Sequence, residues 1–133
     1  MGTVVLDASV VLALLDPQDA LHEPVSAAAR CRSGRGEEFI LPASVLAEVL
    51  VGAARRGEAA LGATRQRTVA AFGSPYPVDE EVAAAAARRR ARHRTLRLPD
   101  ALVLATADAA GADEVLTGDK RWAGLDERVQ VIG

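Results

Sequence analysis

Apolar and polar positions fall into short blocks that read alternately as strands and helices. Thr3–Leu6 (TVVL) is a β-branched apolar run suited to a strand buried on both faces, and Asp7 ends it. Ser9–Leu15 reads as a short helix stopped by Asp16-Pro17, and His22–Arg32 as a second, terminated at Ser33-Gly34. Phe39–Leu41 is a brief second strand. Pro42 then stands at a first helical position and opens a helix from Ala43 to about Arg56, and a further helix spans Glu58–Phe72 after Gly57. Tyr76–Val78 is a candidate edge strand, the place where Pro77 is most easily tolerated. Asp79 is placed to cap an Ala- and Arg-rich helix running to about Arg94. Pro99-Asp100 opens the last helix, ended by Gly111, and Glu114–Thr117 and Arg128–Ile132 are the last two strands. Strands alternating with helices predict an α/β fold with a small parallel β-sheet of four to five strands flanked by helices.

With 133 residues, half of them apolar, the chain has the length of one domain spanning 1–133 and enough apolar surface for a core. A disordered chain would be poorer in apolar residues and more strongly charged. The single cysteine, Cys31, excludes a disulfide framework and a thiolate metal site and reads as a small apolar helix residue. There is no apolar run of membrane-spanning length and no signal-peptide pattern, so a cytoplasmic location is the default expectation.

The formal net charge of −2 argues, taken alone, against a nucleic-acid binder. Its distribution alters that. Residues 30–97 hold thirteen arginines against seven acids, whereas the segments on either side are each acidic by four charges. The arginines reflect compositional drift in part, and they also suit phosphate, which the guanidinium fork binds in pairs. The cluster at Arg88, Arg89 and Arg92, with Arg55 on an earlier helix, is a candidate RNA-binding surface and equally a solvated face at a helix C-terminus, where cations are favoured. Only four residues are Phe, Trp or Tyr, so base stacking can be no more than a minor part of recognition.

In parallel α/β sheets ligands bind outside the carboxyl ends of the strands. Asp7 follows the first strand directly, and Asp119 follows the fourth after Thr117-Gly118. Asp100 sits in the first turn of its helix and Glu48 in the middle of an apolar one. Brought together, four carboxylates would repel one another, and a hard divalent cation, Mg2+ or Mn2+, would resolve that with oxygen ligands and waters. Each acid also has an ordinary reading: Asp7 as a helix cap, Asp100 as a complement to a helix dipole, Asp119 as a turn residue, Glu48 as an exposed position or a partner of Arg55. Asp16, Asp108 and Asp113 fall at turns or helix ends and are left outside the site. His22 and His93 lack a partner at nucleophile spacing.

The four acids occur in one order, each in its own setting: VLDAS around Asp7, LPASVLAEV around Glu48, LPDALVLATA around Asp100 and LTGDKRW around Asp119. In these motifs, over nearly its whole length, the chain resembles PIN-domain ribonucleases, and specifically the VapC toxins of bacterial type II toxin–antitoxin pairs. Trp122 stands where a phenylalanine is commoner. The resemblance implies a PIN-like fold and Mg2+- or Mn2+-dependent hydrolysis of RNA phosphodiesters in tRNA, rRNA or mRNA, inhibiting translation and growth. Asp7 and Asp100 would be the main metal ligands. Asp119 would complete the site, and Glu48 would be a ligand or the group that orients the attacking water. Ser9 and Thr117 would steady the carboxylates or a metal-bound water. It further implies a homodimer restrained by a VapB-like antitoxin, with operator DNA contacted only through that partner. The long helices 43–56 and 58–72 are a candidate groove for it. The rival readings are a catalytically inactive PIN-like module binding RNA or a partner, and a phosphoacceptor receiver module. The receiver reading fails because the first strand is followed by a single acid and the second by Pro42.

Overall fold

The computed structural model describes residues 2–133. Four strands, β1 (Thr3–Leu6), β2 (Glu38–Ile40), β3 (Glu114–Thr117) and β4 (Val129–Val131), form one parallel sheet in the order β2-β1-β3-β4. Six helices accompany it: α1 (Ala8–Leu15), α2 (His22–Gly34), α3 (Ala43–Arg55), α4 (Glu58–Phe72), α5 (Glu80–Arg92) and α6 (Leu98–Ala110). Successive side chains of a strand point to opposite faces, yet Val4, Val5 and Leu6 are all fully buried, as are Val115, Leu116 and Thr117. Both faces of the two central strands are therefore covered, the arrangement that near-continuous apolar strands require. Leu6, Leu41, Leu104 and Leu116 are the largest fully buried side chains of the core.

The expected elements form with shifts of one or two residues at their ends. Two differences have physical causes. Tyr76–Val78 is not a fifth strand: only Tyr76 pairs, through Tyr76 N to Leu41 O (2.7 Å) and Ala43 N to Tyr76 O (2.8 Å). Pro77 has no N–H with which to continue the ladder. The Arg-rich helix α5 ends at Arg92 rather than Arg94, because the chain leaves the helical region at His93. Its start is as expected, with the Asp79 side chain accepting from Val82 N at 2.9 Å.

The packing of α5 against α6 is closed at the surface by an ion network. Arg89 donates to both oxygens of Asp108 on α6 (Nε to Oδ2 3.0 Å, Nη2 to Oδ1 2.9 Å) and reaches Asp126 at 3.3 Å. Arg128 in turn grips Asp126 and reaches Asp108 at 2.7 Å, tying both helices to the approach to β4. Arg89, expected among the phosphate-contacting arginines, is thus occupied by two carboxylates and only 16% exposed. The Arg128 guanidinium holds the Asp126 carboxyl far below the usual carboxylate range. A carboxylate depressed in this way contributes stability that is present above its unfolded pKa of about 4 and lost as pH falls. Asp126→Asn is expected to destabilise the fold by about 1–3 kcal/mol at pH 7. In urea titrations from pH 7 to pH 2, the gap to the parent should begin to narrow as pH falls through about 4 and keep narrowing down to pH 2. A constant gap would remove the network from the account.

Candidate active site

The register of β1 on β3 pairs Leu6 with Leu116, and Asp7 N donates to Leu116 O at 3.0 Å. Asp7 consequently emerges beside Thr117 at the carboxyl edge of the sheet. Its side chain makes no cap bond to α1. Instead Oδ2 accepts from Ser9 Oγ (2.9 Å) and Thr117 Oγ1 (2.8 Å). The two hydroxyls are fixed from the other side, since Gly118 N donates to Ser9 Oγ at 2.9 Å and Asp119 N to Thr117 Oγ1 at 3.0 Å. Two loops from distant parts of the chain are thus locked onto one carboxylate oxygen, and Oδ1 accepts no hydrogen bond among the described residues.

The other three acids gather around Asp7 to different degrees. Glu48, at the surface of α3, forms no ion pair among the described residues. Loss of hydration pushes its carboxyl above the ordinary glutamate value, and the neighbouring charges of Asp7 and Asp100 add to that, against a smaller opposing pull from Arg97. Asp100, in the first turn of α6 and 15% exposed, is likewise raised, first by burial and further by Asp7 and Asp119. Arg97 opposes this from 3.6 Å. Asp119 behaves differently. Its Oδ1 caps the short 3-10 turn Lys120–Trp122 through Arg121 N (2.9 Å), and the Arg121 guanidinium lies 2.6 Å from Oδ2. That pairing holds its carboxyl below the ordinary aspartate value.

Asp7, Glu48 and Asp100 therefore share one electrostatic neighbourhood, with Asp119 on the Asp100 side of it. The donor chemistry suits a hard cation: carboxylates that disfavour one another's charge, and one free Oδ1. Ser44 Oγ, one turn before Glu48 on α3, is buried with no hydrogen-bond partner among the described residues. Among the described residues no three acids stand as a ready-made cage for an ion. Such an arrangement fits Mg2+, which commonly takes one or two carboxylates and keeps its waters.

Reading the sequence did not single out Arg97 and Arg121, which the structure puts against site acids. The available signal was spacing: Arg97 lies one helical turn before Asp100, and Arg121 two residues after Asp119. Arg55 is exposed at the end of α3, and Arg88 and Arg92 are exposed on α5, where with Arg89 they line a shallow cleft of about 200 Å³. His22 is a structural residue, with Nδ1 2.7 Å from Ala13 O. Cys31 is exposed rather than packed.

The sequence pattern characteristic of PIN domains matches residues 4–128. The chain belongs to the PIN-domain family. Among solved structures, this PIN domain is similar to VapC20 of Mycobacterium tuberculosis, described as a sarcin–ricin loop cleaving toxin, with a TM-score of 0.72 and 22% identity over 98% of this chain and 99% of that one. It is also similar to VapBC-5 of Mycobacterium tuberculosis (TM-score 0.63, 26% identity, 99% and 98% covered). VapBC2 of Rickettsia felis, solved with a promoter DNA fragment, gives a TM-score of 0.78 at 10% identity, with 98% and 99% covered. None of the curated proteins matches this PIN domain in sequence.

The raised carboxyls of Glu48 and Asp100 mean that the fold favours their protonated forms. Their contribution is therefore most favourable at or below the unfolded pKa of about 4 and declines as pH rises through the higher folded values. Asp100→Asn removes one of the repelling charges. It should lower the pKa of Glu48 in a carboxyl-detected NMR titration and slightly raise the metal-free melting temperature at pH 7. An unchanged Glu48 titration would separate the two acids.

Proposed function

We propose that this PIN domain is the toxin of a VapBC-type toxin–antitoxin pair, a divalent-metal-dependent endoribonuclease that cuts RNA and so arrests translation and growth. The observation that carries the reading is the buried Asp7 carboxylate, fixed by Ser9 and Thr117 at the carboxyl edge of the sheet with Glu48 and Asp100 in its electrostatic neighbourhood. The PIN-domain match over nearly the whole chain supports it, as does likeness to a toxin described as cleaving the sarcin–ricin loop and to a member of the VapBC family of toxin–antitoxin systems.

Asp7, through Oδ1, and Asp100 would hold Mg2+ or Mn2+, with Asp119 and Glu48 completing the set directly or through water. When bound, such an ion makes a coordinated water more acidic and offsets charge that develops on the phosphate oxygens. The chain's own residues do the rest. Ser9 and Thr117 keep Asp7 in one rotamer, because both hydroxyls must let go before Oδ2 can turn. Glu48, with its raised carboxyl and no ion-pair partner among the described residues, is suited to orient the attacking water and accept its proton. Arg55, Arg88 and Arg92 are exposed guanidiniums available to RNA phosphates away from the acids.

The candidate seat for an antitoxin of the VapB kind is a groove on the helices that is part apolar and part charged. This groove of about 560 Å³ between α1, α3 and α4 is lined by Leu12, Val51 and Arg67 and reaches Glu48, and Leu12 and Val51 are large apolar residues left exposed. A partner segment seated there would lie against the acids. The proposal includes a homodimer, and operator DNA bound only through the antitoxin. No helix among the described residues is long and apolar enough to cross a membrane.

Purified protein freed of any antitoxin should cut structured RNA with Mg2+ or Mn2+ and stop in EDTA. Asp7→Asn and Asp100→Asn should keep the parent's circular dichroism and lose on the order of 100-fold or more in rate, the scale expected for losing a group that stabilises charge in the transition state. If both cut as fast as the parent, the carboxylate site is misassigned. Expression in a bacterial host should arrest growth, and Glu48→Gln should relieve the arrest.

A further inference from the structure

Next to Asp100 the surface opens into a cleft of about 300 Å³. Its floor is apolar, built from Leu96 and Trp122, which are 6% and 2% exposed, and from the half-buried Leu125. The exposed Arg97 and Arg121 line it as well, together with Asp100. The volume lies at the lower end of the range for small-molecule pockets, about 300–1,000 Å³, and suits a single nucleotide rather than a helical element.

The two arginines share an unusual position. Their side chains are 63% and 73% exposed, so both have room to swing, yet each is turned onto an acid of the candidate site. Arg97 Nε stands 3.6 Å from Asp100 Oδ2, and Arg121 Nη2 2.6 Å from Asp119 Oδ2. The long Arg97 contact is weakly held, as exposed pairs are, whereas Arg121 forks onto Asp119 and yields only to a competitor of higher charge. A doubly charged cation drawn to Asp100 and Asp119 competes for the same oxygens, and it would release two guanidiniums at the mouth of a cleft that adjoins the acids. The guanidinium fork matches phosphate oxygens as well as it matches carboxylate. The Arg88–Arg92 cleft on α5 has no such link: its Arg89 is already held by Asp108 and Asp126.

We propose that this cleft seats the nucleotide adjoining the phosphodiester to be cut, with its base or ribose on Leu96, Trp122 and Leu125 and its phosphate between Arg97 and Arg121. The two arginines exchange carboxylate for phosphate as cation and RNA arrive. The proposal rests on the ribonuclease reading above and deepens it by assigning the residues that hold the substrate.

The test uses the intact chain with 15N-labelled arginine and the four nucleoside 5′-monophosphates, which carry no internucleotide bond to hydrolyse. Addition of Mg2+ alone should shift the Nε–H signals of Arg97 and Arg121, and a monophosphate should shift them again. Arg35, which precedes β2 at the opposite end of the sheet, should not respond. Arg97→Gln and Arg121→Gln should each weaken the monophosphate about tenfold and raise KM for RNA about as much. In titration calorimetry both should bind Mg2+ as tightly as the parent or tighter, since a competitor for the carboxylate is gone. Lys at either position should recover part of the phosphate affinity. Unchanged monophosphate affinity and KM in both Gln variants, or weaker Mg2+ binding in either, would overturn the proposal. Arginine-dependent monophosphate binding by a parent that cuts no RNA would sink the ribonuclease reading and leave the cleft standing. Cutting with parental KM in both variants would do the reverse.

Discussion

The whole candidate site depends on how one carboxylate oxygen is held. Asp7 Oδ2 takes two hydroxyl hydrogen bonds, from a residue two positions away and from one 110 positions away. Those hydroxyls are in turn fixed by backbone amides of the loop after β3. Hydrogen bonds to a charged acceptor contribute about 1.5–3 kcal/mol each. They form only because β1 and β3 run parallel in the register that sets Leu6 beside Leu116. A slip of one residue would turn every strand side chain to the other face and carry Asp7 away from Thr117. The burial of both strands on both faces makes such a slip costly, so the apolar core is what aims the polar site.

Around that fixed point the other acids remain electrostatically unsettled. Glu48 and Asp100 are both pushed up, first by lost hydration and then by neighbouring carboxylates (Asp7 and Asp100 on Glu48, Asp7 and Asp119 on Asp100), while Asp119 is quieted by Arg121. A group of carboxylates at odds with itself costs stability in the metal-free chain and is the usual mark of a site shaped for a cation or a reaction rather than for the fold. The contrast with Asp108 and Asp126 is instructive. Those acids are paired with Arg89 and Arg128, and they are structural.

Nearly every basic residue is arginine, and the chain uses that one residue type in three physically distinct ways. Arg32, Arg89 and Arg128 are largely buried and hold elements together, Arg32 through Glu114 at 2.6 Å. Arg97 and Arg121 are exposed yet lean on site acids. Arg55, Arg88 and Arg92 project into solvent. The net charge of −2 averages over these uses and says little about any of them. With the four site acids set apart, the rest of the chain carries a positive balance of two, consistent with a basic approach to an acidic centre.

Much of this was legible in the order of residues alone. Short β-branched runs, the Asp79 cap, the Pro99 opening and the Gly111 stop are local signals, because strand burial, capping and left-handed backbone are decided within a few residues. The four acids were legible for the same reason, each sitting in a recognisable local setting. Their separate fates were not. Asp7 could cap the helix that follows it or bond elsewhere, and only the β1–β3 register, which brings Thr117 to its oxygen, decided between them. Arg89 and Arg97 look alike along the chain, but one meets Asp108 across a helix pair and the other faces Asp100. Tyr76 read as strand until Pro77 left it one pair long. The sequence by itself determined which segments would be strand or helix and which side chains could do chemistry. Which of those side chains meet was left to the tertiary structure, because hydrogen bonds and charges act over a few ångströms in space, whatever the distance along the chain.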